Sequence, residues 1–337
     1  MKLRNSTYIA IIEMMMLLHT PPPVYGSDIR FAVGKSALGI PFESDNDVIY
    51  VLASVNDSPP FTFILDTGAS YSILDLRHAK SFGLGLQPLG KVEGGSGAEP
   101  PDAYLSTDSV SISLPGVMLA SQSVRVMLLD KVQGCIETAA DGRTAQRSPS
   151  DQKANGGTRL DGILGADFFS NLVVEIDYES KLINLHDPAG YHYKGRGKSL
   201  PLEREGYIFV RGQVTAYGHP PVTARLFVDT GASVVLSLTE QFSRTHGILP
   251  PANQLTASKN CGIGGFTKET SWFGSLQRLQ IGGFRVSRPV TMFYEDADIH
   301  SYDGSLGGAA FRHCKVIFDY SRSRMIVEPL RGGARNE

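Results

Sequence analysis

Apolar and polar positions along this chain alternate in short runs that are broken by turn residues. VIYVLASVNDSPPFTFIL (48–65) and YIFVRGQVTAYGHPPVTARLFV (207–228) are the two longest examples. A period of two, with Asn, Asp, Ser, Gly and Pro in the breaks, predicts β-hairpins. Each run ends on the same pentapeptide, Asp-Thr-Gly-Ala-Ser, at Asp66–Ser70 and again at Asp229–Ser233, 229 − 66 = 163 residues later. Further landmarks recur in the same order. A Gly-rich stretch follows each motif, EGGSGAEP at 93–100 and CGIGGFTKE at 261–269, and LDGILGADFFSNLVVEIDYESKLINL (160–185) matches YDGSLGGAAFRHCKVIFDYSRSRMIVEP (302–329). A repeat of this size predicts two structurally similar lobes.

Three segments depart from the alternation. KVQGCIETAADGRTAQRSPSDQKANGGT (131–158) is polar and shows no apolar period, which reads as a long surface loop of the first lobe with no counterpart of that length in the second. Residues 186–200, HDPAGYHYKGRGKSL, carry the breakers and basic residues of an interlobe linker. GRGKS within it lacks the earlier glycine of a phosphate-binding loop, because His192 stands there. At the N-terminus, Lys2 and Arg4 precede the apolar run YIAIIEMMMLL, then HTPPP and a small-residue site at Val24-Tyr25-Gly26. That order predicts an export signal over 1–26 and a periplasmic or secreted protein, with Glu13 leaving an uncleaved anchor or a misassigned start open. The run is shorter than the roughly 20 residues of a stable membrane span. The expected organisation is a signal (1–26), a first lobe (27–185), a linker (186–200) and a second lobe (201–331).

Composition narrows the function. The 337 residues suffice for two lobes with their own cores, and 36 glycines and 19 prolines suit a turn-rich, mostly β chain. With 32 basic against 34 acidic residues there is no broad attraction for nucleic acid or anionic membrane. Eight histidines include no HExxH or other zinc pattern, so neither a metal nor a cofactor is expected. GASYS and GASVV are not the G-x-S-x-G of a serine nucleophile. Asp161 and Asp303, each before a glycine, read as turn formers, and Tyr104 as a plain strand residue. Of the three cysteines, Cys261 and Cys314 share the second lobe and form the favoured pair, with three unpaired small hydrophobes an equal alternative.

The pentapeptide carries the chemistry. A single Asp-Thr-Gly is commonly a turn. Two, each at the end of an apolar strand and each followed by another apolar run, would bury two carboxylates in tight loops, and an ionised buried carboxylate needs a partner. If the loops meet, Asp66 and Asp229 share one proton, since like charges in contact cannot both ionise. Such a pair can hold a water between them, one carboxylate acting as base and the other as acid.

On these residues the chain resembles the retropepsin-like aspartic proteases more than the pepsins. The two DTGA units, Ile163-Leu164-Gly165, the weaker Ser305-Leu306-Gly307 and the Gly-rich segments carry the resemblance over roughly residues 40–330. It implies an all-β, bilobal acid-protease fold of two duplicated β-barrel lobes with short helices, acting as a monomer whose lobes pair within one chain. It implies catalysis by Asp66 and Asp229, support from the Thr67 and Thr230 hydroxyls bonding across the interface, and room for water and substrate at Gly68 and Gly231. Gly94, Gly95, Ser96 and Gly97, with Gly262, Ile263, Gly264 and Gly265, would be flaps over an extended peptide or protein substrate. Two departures stand out. Ala69 and Ala232 occupy the place of a pepsin-type hydroxyl, and Ser305 replaces an apolar residue, a change expected to loosen packing behind Asp229. Two functions of different class follow: an aspartic endopeptidase, or a secreted peptide-binding or sensing module that keeps the fold without turnover.

Overall fold

A computed structural model describes residues 28–92, 99–141, 159–295 and 302–330. The predicted export signal, the first-lobe segment Gly94, Gly95, Ser96 and Gly97, and residues 142–158 lie outside the described residues.

The alternating runs become hairpins for local reasons. In Val48–Val55 the buried positions alternate with more open ones over most of the strand, and the chain then reverses at Asn56 and Asp57, both with positive φ (48° and 60°). Ser58 N donates to Val55 O at 3.0 Å across this turn, the left-handed geometry that Asn and Asp tolerate. Phe61–Leu65 returns antiparallel to Val48–Val55 and delivers Asp66. In the second lobe Tyr207–Thr215 and Val222–Asp229 do the same, with Gly218 (φ 77°) in the turn.

Each lobe is built on one curled sheet, and the two sheets share a central order. In the first it runs Val48–Val55, Phe61–Leu65, Gly162–Leu164, Ile73–Asp75, Arg125–Met127. In the second it runs Tyr207–Thr215, Val222–Asp229, Gly304–Gly307, Leu236–Thr239, Val290–Tyr294. The fold is thus all-β and bilobal with short helices. Inside each sheet the middle strand, Gly162–Leu164 or Gly304–Gly307, threads parallel to the motif strand and antiparallel to the strand after the motif.

A third, six-stranded sheet joins the lobes. Val173–Asp177 pairs antiparallel with Cys314–Asp319, with Val174 opposite Phe318 and Ile176 opposite Val316. Lys198–Pro201, the end of the segment read as a linker, is an edge strand on Arg324–Pro329. Beneath it Phe169 meets Phe318 edge-on at 5.4 Å and stacks on Tyr320 at 5.8 Å, so the cores of the two lobes are continuous. Asp47 and Arg312 add an ion pair between the lobes.

One prediction is corrected here. The segment from 131 is not loop at its start, because Asp130–Asp141 is an α-helix. Val132 and Cys135, three residues apart, share its buried side, and Leu129 just before the helix joins the same cluster. That short stripe inside a polar stretch is the signal that a search for longer periods passes over.

Candidate active site

Asp66 and Asp229 end parallel-paired strands whose neighbours fix them from below. Asp66 N donates to Leu164 O at 3.0 Å, and Ala166 N to Ala69 O at 2.7 Å, so the Ile163-Leu164-Gly165 strand is stitched to the first motif loop on both sides. Gly308 N donates to Ala232 O at 2.8 Å in the second lobe. The glycines of these strands are required by space. A Cβ on Gly165 would lie 2.5 Å from Tyr71 O, and one on Gly307 2.1 Å from Val234 O.

The two loops interlock through their threonines. Thr67 N donates to Thr230 Oγ1 at 3.0 Å and Thr230 N to Thr67 Oγ1 at 3.1 Å. Each hydroxyl in turn donates across the interface, Thr67 to Val228 O and Thr230 to Leu65 O, both at 2.8 Å. All four bonds are buried, so leaving any of these groups unpaired would cost about 1–3 kcal/mol.

This clamp brings the carboxylates together. Asp66 and Asp229 are buried and face one another across the loops, close enough for a Cβ on Gly68 to meet both. Gly68 N donates to Asp66 Oδ1 at 2.7 Å and Gly231 N to Asp229 Oδ1 at 2.9 Å. The motif glycines also have a role beyond admitting water and substrate. A Cβ on Gly68 would stand 2.7 Å from Asp229 Cγ, and one on Gly231 2.6 Å from Asp66 Cγ, so each glycine makes room for the opposite aspartate. Burial pushes the Asp66 carboxyl above its ordinary range, and the Asp229 side chain and the backbone of Gly68 and Gly231 offset only part of that. Two carboxyls at this distance can share one proton, which is the arrangement an acid–base pair requires.

Behind the second loop, Ser305 is not a packing defect. Its Oγ lies 2.5 Å from Ser237 Oγ, and its N donates to Ser237 Oγ at 3.2 Å. The corresponding cross-strand pair in the first lobe is Ile163 with Ile73. An apolar pair has been exchanged for a hydrogen-bonded one, both members fully buried. Asp161 and Asp303 act as braces: Asp161 Oδ2 accepts from Thr62 N at 3.1 Å and Asp303 Oδ2 from Arg225 N at 2.7 Å. Tyr104 sits half-buried in the strand Asp102–Ser106. Among the described residues no cluster of His, Cys, Asp or Glu could hold a metal ion.

The second-lobe Gly-rich segment is a hairpin, Thr256–Gly262 with Gly265–Ser275, turning at Ile263 and Gly264. Gly265, at φ 89°, supplies the left-handed residue after the turn. The tip reaches the first lobe. Ile263 is buried in a cluster with Ala69, Ile73, Val92, Met127 and Val132, and Glu99 N donates to Gly264 O at 3.4 Å. Cys261 is bonded to Cys135 on the helix Asp130–Asp141, so the cysteine pairing expected within the second lobe is overturned. Cys314 is free and buried, its thiol pushed up to about 12 by desolvation.

A dyad of buried aspartates at the meeting of two lobes, held by reciprocal threonine bonds, defines the class of the aspartic proteases. Residues 51–168, from the first hairpin to the helix behind the dyad, match the family model described as aspartyl protease, a match that supports the retropepsin-like family. A comparison with curated proteins gave no match to the chain.

Proposed function

We propose that the protein is an aspartic endopeptidase in which Asp66 and Asp229 activate one water. The observation that carries this reading is the buried carboxylate pair locked by Thr67 and Thr230. The ionised member takes a proton from water, whose oxygen attacks the scissile carbonyl carbon, while the protonated member donates to the carbonyl oxygen. Collapse of the tetrahedral species breaks the C–N bond and the amine leaves with a proton from the dyad. The hairpin around Gly262, Ile263, Gly264 and Gly265 offers backbone groups to an extended peptide, which then binds as an added strand.

The test is peptide cleavage by the purified chain with and without a statine-type inhibitor. Asp66→Asn and Asp229→Asn should each lower kcat by at least about a thousandfold while the protein stays folded. Full activity in either variant would overturn the intramolecular pair, and recovery on mixing the two would move the site between chains. A folded wild type that binds peptides but cleaves none would leave the non-catalytic binding module.

Export from the cytoplasm is proposed with it. The basic start and apolar run of residues 1–26 support this, and so does a disulfide, which persists in oxidising compartments. N-terminal sequencing of the native protein should find a mature chain that begins near Ser27. A cytoplasmic product that keeps Met1 would refute it.

A further inference from the structure

Arg125 opens the strand Arg125–Met127 beside the first motif loop. Its N donates to Ser72 O at 2.9 Å, and its guanidinium lies 4.3 Å from the centre of the Tyr71 ring, one residue past the pentapeptide. Side chains alternate along a strand. Val124 and Val126 enter the main core, whereas Met127 joins the cluster that holds Ala69 and the hairpin residue Ile263. Arg125 shares the face of Met127, on the side of the dyad and hairpin.

The residue is only 6% exposed, and its Nε is buried with no hydrogen-bond partner. Among the described residues its guanidinium meets no carboxylate. Asp167, half-buried on the same flank, is occupied by Ser72 N, Ser72 Oγ and Phe168 N. A buried cation without an anion is costly, and the Tyr71 face compensates only in part. Burial has stripped water from Nε and left little of the side chain in solvent, so an arriving carboxylate meets a weakly screened guanidinium whose planar fork fits two oxygens at once.

We propose that Arg125 is a specificity-determining residue that receives a carboxylate of the bound peptide, an acidic side chain or a free C-terminus. The proposal rests on the peptidase reading, because the peptide must lie between the motif loop and the hairpin. Cleaved peptides carrying Glu or Gln in turn at each position, and peptides ending in acid or amide, separate the two sources. In the wild type one position, or the terminus, should favour the acid in kcat/KM by about tenfold over the neutral isostere. Arg125→Gln should bring that ratio close to one. No acid preference at any position, or one that survives in Arg125→Gln, overturns the proposal. If Arg125→Gln does not fold, Arg125→Lys decides, since an ammonium cannot offer the fork: the ratio falls severalfold, or stays unchanged and refutes the role. The same peptide pairs, titrated against Asp66→Asn by calorimetry, read binding without cleavage. A wild type that cleaves nothing sinks the peptidase reading alone. Arg125 is then judged by Kd, where about tenfold tighter binding of the acid supports it and equal binding refutes it.

Discussion

At the scale of the residue, the site is a balance between burial and hydrogen bonding at two carboxylates. Because the Asp66 carboxyl titrates above its ordinary range in the folded chain, its contribution to stability has a fixed sign. Below the unfolded value of about 3.9 both states are protonated and the contribution is fully present, and it is lost as pH rises through the folded pKa. At neutral pH the dyad therefore costs stability. Asp66→Asn, which removes the carboxyl whose ionisation burial disfavours, should raise Tm at pH 7 by about 2–4 °C, with the gain shrinking toward pH 3. Thermal melts of the two proteins across that range check it, and a variant less stable at pH 7 would show that hydrogen bonds to Asp66 outweigh its desolvation.

At the scale of the element, the strands behind the dyad show two solutions to one packing problem. Ile73 with Ile163 fills the first lobe, whereas Ser237 with Ser305 fills the second and satisfies itself. A buried hydroxyl deprived of its partner loses far more than a pair removed together. Ser237→Ala should therefore destabilise the chain by about 1–3 kcal/mol, and Ser237→Ala with Ser305→Ala by less than the sum of the single changes. Urea unfolding of the three variants measures this coupling. Strict additivity would mean that the serines act independently. The weakness read into Ser305 came from seeing one partner only: Ser237 lies 68 residues away, and no local pattern pairs the two.

At the scale of the whole molecule, the shared six-stranded sheet and the hairpin join the lobes in addition to the threonine clamp and the Asp47–Arg312 ion pair. The hairpin is fastened at Cys261 to Cys135, 126 residues earlier in the chain, and flanked by the Lys131–Glu99 ion pair. A cross-link that closes so long a loop is worth roughly 2–5 kcal/mol. Cys261→Ser should lower Tm and also raise hydrogen exchange at the backbone amides of 262–266 more than in the shared sheet. Peptide-resolved exchange tests the second point. Equal change in both regions would mean that the bond stabilises the fold without holding the hairpin.

The sequence by itself determined the all-β class, the motif strands and the identity of the dyad. These are written in local signals: period-two alternation, turn residues, and a pentapeptide present twice. Asp66, Thr67 and Gly68 could be matched to Asp229, Thr230 and Gly231 because the same neighbours surround each set. What only the tertiary structure decided is contact between distant segments that carry no shared pattern. Cys135 meets Cys261 because a helix hidden in a polar stretch packs against a hairpin of the other lobe. Ser305 is satisfied by a hydroxyl from another strand, and among the described residues Arg125 meets no carboxylate and its Nε has no hydrogen-bond partner. Pairing of this kind depends on where burial brings side chains together, and burial is a property of the folded whole.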